Sequence, residues 1–175
     1  MTAQEFKTMY NSKYMYAYAM DEERCHIGTA PTLADSLHEY GRDCVRSVID
    51  EILYSLVTFT SARVQLSQEQ RGRLAWVVLT QYPRMRITEL ILFVVKAQSG
   101  KFGKFYDRID PIDITTALTK WWAECQQLRN QYRLARYEQE QEASRDESDR
   151  THRANIDEIR TMLLNGLCDP KKLKS

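Results

Sequence analysis

From Ile112 to Asn165 the chain contains neither glycine nor proline, and Asp110-Pro111 stands directly in front of that stretch. Asp is a strong N-cap and Pro a preferred first helical residue, so the pair reads as a helix start. Asp113 in the first turn favours the helix dipole. No breaker follows until Gly166, so one helix can run far past any single core. Leu118, Trp121, Trp122, Cys125, Leu128 and Tyr132 mark its apolar face at intervals of three and four. Between Arg136 and Arg153 the pattern turns almost wholly polar. Such a stretch is either a solvated helical connector or a disordered linker. Ile156, Ile159, Leu163 and Leu167 then restore an apolar stripe, ahead of a basic tail with Lys171, Lys172 and Lys174.

The rest of the chain also reads as helix. Six glycines and four prolines in 175 residues are few, which favours long helices over many short strands. Pro31-Thr32 opens a short helix to Tyr40, stopped by Gly41. Val45, Val48, Ile49, Ile52, Leu53, Leu56 and Phe59 lie on one face of the next. Ser67 with Gln70 forms a capping-box signature for a third helix, which Tyr82-Pro83 ends. Thr88 is placed to cap a fourth, from Glu89 to about Gln98. Its run Leu90 to Val95 is apolar on every side, which suits the middle of a bundle. Six apolar residues also fit a buried strand, and the helical neighbours decide for helix. Residues 1–30 fit two patterns: Phe6, Met9, Tyr10, Tyr14 and Tyr18 have helical spacing, while Tyr14 to Tyr18 alternates like a strand. The expected fold is all-α, a bundle of four to five helices over 31–135. A Tyr-rich arm (1–30) precedes it, and a charged extension (136–175) ends in an amphipathic helix.

Charge is balanced overall at +1 but not locally. From Ser67 to Tyr106 seven basic residues stand against Glu69 and Glu89. From Asp21 to Glu51, and again from Glu138 to Glu158, three basic stand against eight acidic. Either the positive segment meets a charged partner, or acidic and basic segments meet each other in the fold. The N-terminus lacks the basic start and apolar run of a secretory signal. The longest apolar run, Leu90 to Val95, falls far short of the ~20 residues that span a bilayer. No membrane partner is expected, and the protein is expected in the cytoplasm. Cys25, Cys44, Cys125 and Cys168 are scattered and read as reduced packing thiols.

The residues offer little for catalysis. There are three histidines, no nucleophile elbow and no phosphate loop. Cys25, His26, His38 and Cys44 lack the spacing of a zinc site, and Asp110 and Asp113 are explained as helix-start residues. No enzyme activity, cofactor or metal is expected. Binding has two candidates. Gly100-Lys101-Phe102-Gly103-Lys104-Phe105-Tyr106 is a glycine-hinged corner whose lysines suit phosphate and whose rings suit base stacking. With Arg84 and Arg86, the residues Lys101, Lys104 and Tyr106 make a candidate nucleic-acid contact of low sequence specificity. The same glycines and rings also suit a plain corner between two core helices. The second candidate is the stripe Ile156, Ile159, Leu163 and Leu167, which either folds back, binds a protein groove or joins two copies.

Leu66 to Gln70, Tyr82-Pro83, Thr88-Glu89-Leu90, Gly100 to Tyr106, Ile109-Asp110-Pro111 and Ile114 to Leu118 follow one another in an order and spacing that covers about residues 40–135. In these pieces the chain resembles small uncharacterised helical proteins encoded on phages and mobile elements of gut bacteria. Those relatives often carry a third glycine after the Tyr, where this chain has Asp107. Their layout is similar to phage helicase-loader and replication-accessory proteins. That likeness of layout, taken with the basic loop and the C-terminal stripe, leads to the expectation of a non-enzymatic, nucleic-acid-associated role in DNA replication of a mobile element. In it DNA is held through its phosphates and a protein partner by the C-terminal extension. The alternative is a protein–protein interaction module, an inhibitor or adaptor without nucleic-acid binding.

Overall fold

The computed structural model describes residues 1–59, 65–103 and 109–167, the last three of these in backbone alone. Among the described residues the protein is all-α: there is no strand, and an isolated antiparallel bridge joins Thr32 to Arg86. The helices are α1 (Ala3–Met9), α2 (Met15–Ala19), α3 (Glu22–Ile27), α4 (Leu33–Tyr40), α5 (Arg42–Phe59), α6 (Gln68–Gln81), α7 (Ile87–Gln98) and α8 (Pro111–Leu167), with a 3-10 turn over Ser12–Tyr14. These exceed the expected four to five, and the excess lies in the first thirty residues.

The extra helices form because their apolar residues are buried and because side chains cap the starts of α1 and α3. Thr2 and Glu5 make a reciprocal capping box on α1, and Asp21 accepts the Arg24 amide at the start of α3. Phe6, Tyr10, Met15 and Cys25 then enter the core. Phe6 stacks on Tyr40, with ring centroids 4.4 Å apart, and Tyr10 on Tyr18 at 5.6 Å. The tyrosines of this segment thus bind it partly to its own domain.

At the centre lies α7, whose Leu90, Ile91, Leu92, Phe93 and Val94 are buried all round. It is apolar on every side because helices cover it on every side: α2, α3 and α5 pack against it. The helix begins at Ile87, with Arg86 as the capping residue, so Thr88 is not the cap. Thr88 is buried instead, and its hydroxyl donates to the Cys25 carbonyl at 2.8 Å. Ser67 and Gln70 make both bonds of the capping box on α6. Between α6 and α7 the turn is bound to the strand-like link before α4, since the Leu33 amide donates to Met85 O and the Ile87 amide to Pro31 O.

Past α7 the chain turns at Gly100, whose φ of 85° is left-handed and favours glycine. Phe102 packs on Phe93 and Trp121, at 5.2 and 6.2 Å. Asp110 accepts the Ile112 amide at the head of α8. Ile114, Leu118, Trp121 and Cys125 bury the first turns of that helix. Residues 1–132 form one compact unit and the helix from Arg133 onward a second. In the second unit every described side chain is exposed.

Candidate functional site

Of the described basic residues singled out for phosphate, Arg86 and Lys101 are engaged inside the first unit and Arg84 is exposed. Arg86 is half-buried, and its guanidinium donates to the carbonyls of His26, at 3.1 Å, and Ala30. It ties α3 to the α6–α7 turn. Lys101 pairs with Glu124 and sits 5.1 Å above the Trp121 ring. Arg84 is exposed at the α6–α7 turn, where its carbonyl accepts from Arg129 at 3.0 Å. Lys104 and Tyr106 lie outside the described residues.

The other basic groups of the positive segment follow the same pattern. Lys96 meets Glu22 at 2.7 Å, Arg71 meets Asp50 at 3.3 Å and Arg73 meets Glu69 at 2.6 Å. Glu22 and Asp50 belong to the acidic segment 21–51. Part of the local positive excess is therefore matched inside the fold by the acidic segment, which leaves less of it for an external phosphate than the sequence count suggests.

Beneath this surface lies a buried polar cluster that the spacing of residues did not reveal. Glu89, fully buried in the first turn of α7, accepts four hydrogen bonds. The Arg86 amide donates at 2.8 Å and the His26 ring at 2.9 Å, while Arg129 of α8 donates through Nε at 2.6 Å and through Nη2. Burial works to raise the Glu89 pKa, but the bonds from His26, Arg129 and the Arg86 amide outweigh it and hold the carboxyl below its ordinary value. Trp121 Nε1 donates to the Glu89 carbonyl at 2.9 Å. His26 Nε2 has no hydrogen-bond partner among the described residues. A sequence signal did exist: a carboxylate inside a helix apolar all round must find a buried cation, and Arg129 lies one turn beyond Cys125 on the core-facing side of α8.

His26, Glu89 and Cys125 bring potential ligand atoms within 4.8 Å of one another. Their chemistry does not suit a cation. Arg129 and the Arg86 amide already occupy the Glu89 oxygens, a guanidinium charge stands beside them, and burial holds the Cys125 thiol protonated. The ion pair here is Glu89 with Arg129, and His26 and Cys125 are buried beside it. A cavity of about 850 Å³ also opens beside α1, α2 and α3, walled by Met9, Tyr10, Tyr14 and Tyr18, with Asp21 and Arg24 among its lining. Glu5 lines it as well, so two acidic side chains stand against one basic one.

On α8 beyond Tyr132 the arrangement is the reverse. Ile156, Ile159, Met162, Leu163 and Leu164 are each more than half exposed, and so are Leu134 and Tyr137. Leu167 belongs to the same helix, its side chain outside the described ones. No described residue of the second unit buries this stripe. Among the described residues no helix is long and apolar enough to cross a membrane.

Comparison with known proteins finds one family model, DUF6633, a family of unknown function, matching residues 54–160. That span runs from α5 through the charged part of α8. No curated protein and no solved structure matches the chain.

Proposed function

The chain belongs to DUF6633, and from that footing we propose that it is a non-enzymatic protein-interaction module. The first unit is the folded platform, and α8 beyond Tyr132 carries the binding element. One observation carries the reading: apolar side chains from Ile156 to Leu164 stand in solvent on a helix that has no core of its own. Contiguous exposed apolar surface on a helix otherwise rich in charge is characteristic of helix-in-groove recognition.

The test is a photo-crosslinking residue at position 163 in the native cell, introduced both into the parent chain and into the Ile156→Lys, Ile159→Lys double variant as control. A discrete crosslinked protein that disappears in the double variant, at unchanged thermal stability, supports the reading. Identical products from both chains overturn it.

Exposed Arg84 and the Arg42–Trp76 pair, with the guanidinium 5.0 Å from the ring, favour a second reading. In it the protein is a replication-accessory protein of a phage or mobile element that holds DNA through its phosphates. An affinity that falls steeply with salt, and falls further in Arg84→Glu, supports it. Absence of binding at low salt overturns it.

A further inference from the structure

The exposed stripe has a second half that the sequence alone does not join to the first. At 3.6 residues per turn, Leu134, Tyr137, Ile156, Ile159 and Leu163 fall within an arc of about 100° on α8. Two apolar patches therefore lie on one face of the helix, one at each end of the second unit. Gln141, Arg145, Ser148 and His152 occupy the same face between them. Neither patch alone is long enough to sustain a coiled coil.

Charge is divided along the same length. From Arg133 to Asp149 three arginines stand against six carboxylates, and from Arg150 to Leu164 three arginines stand against two. A parallel, in-register pair of such helices would set the acidic half against itself. An antiparallel pair sets the acidic half of each helix against the basic half of the other. Only in the antiparallel arrangement does Leu134–Tyr137 of one helix meet Ile156–Ile159 of its mate while Gln141 faces His152. Glu140 then lies across from Arg153. Either direction brings apolar patch to apolar patch, and charge selects the antiparallel one.

We propose that the partner of this stripe is a second copy of the chain, and that residues 134–164 of two copies pair antiparallel through Leu134, Tyr137, Ile156 and Ile159. The inference rests on the interaction-module reading and names its partner. The contact is isologous, so it closes at two copies and buries on both sides the residues that stand exposed in one. Its apolar ends supply the attraction, and its charged flanks supply the direction.

Sedimentation equilibrium of the full chain, from micromolar to several hundred micromolar, tests the association. The result expected is a monomer–dimer equilibrium that Ile156→Glu with Ile159→Glu shifts at least about tenfold toward monomer, as the loss of two partly buried isoleucines requires. Leu134→Glu, at the other end, gives a shift of the same sign. Direction is read by disulfide trapping in a Cys168→Ser background, with Gln141→Cys and His152→Cys chains mixed. Antiparallel pairing gives the 141–152 heterodimer in excess, whereas parallel pairing gives 141–141 and 152–152 homodimers and overturns the proposal. A chain that stays monomeric at every concentration also overturns it. If such a monomer still yields the stripe-dependent crosslink to another protein, the interaction reading stands without this partner. If it yields none, both fall.

Discussion

The two halves of α8 share one backbone and treat their side chains in opposite ways. Up to Tyr132 the helix buries Ile114, Leu118, Trp121 and Cys125, and sends Arg129 into the interior to meet Glu89. Beyond it the helix leaves seven large apolar side chains, from Leu134 to Leu164, more than half in solvent. The first half is explained by what it touches inside its own unit. No described residue of its own unit covers the second, which the proposed interaction would. The boundary lies within an uninterrupted helix, where no breaker in the sequence announces it.

Removing Arg129 attacks the first half where it is most committed. Arg129→Ala leaves the Glu89 carboxylate buried with its charge unmatched, so a loss of about 3–5 kcal/mol of stability is expected by urea denaturation. Replacing both residues by apolar ones of similar size, Glu89→Leu with Arg129→Met, should recover much of that loss, because the desolvation of two charges disappears with them. A single variant as stable as the parent would mean that this pair is not the buried link between α7 and α8.

A smaller effect follows from acid. The folded-state pKa of Glu89 lies below its ordinary 4.5, so the unfolded chain takes up this proton first as pH falls. The carboxylate's contribution is complete above about pH 4.5 and is lost as pH drops through the depressed folded value. Unfolding titrations from pH 6 to pH 2 should show stability declining across that range. Glu89→Gln, although less stable at neutral pH, should show a shallower decline. An equal slope in both chains would assign the acid sensitivity to other carboxylates.

Much of the first unit is legible in the residues themselves. Ser67 with Gln70, Tyr82-Pro83 and Asp110-Pro111 mark ends that local chemistry decides, and Leu90 to Val95 declares a central helix by having no polar face. Thr88 was misleading because its hydroxyl competes for two uses, a cap or a buried bond to Cys25 O, and tertiary packing chose the second. The N-terminal helices were ambiguous because Tyr14 to Tyr18 fits two periods, and only packing against α7 resolves them. At the candidate site the basic residues were visible but their partners were not. Arg86 finds two carbonyls and Lys96 finds Glu22, at sequence separations no spacing rule reaches. Net charge over a segment counts ions without knowing which are already paired.

The smallest expected effect tests that last point at the position most suggestive of phosphate binding. Lys101 and Glu124 form a half-exposed pair linking the corner after α7 to α8. Water and salt screen such a pair, so a double-mutant cycle of Lys101→Gln and Glu124→Gln should give a coupling below about 1 kcal/mol. The coupling should nevertheless exceed zero, because Trp121 holds the ammonium from below at 5.1 Å and limits the freedom lost in pairing. If the pair occupies Lys101, Glu124→Gln should make any affinity for a polyanion rise, since it frees the ammonium. A zero coupling with an unchanged polyanion affinity would show Lys101 to be free already, and would move the corner from the side of the molecule that folding explains to the side that binding must.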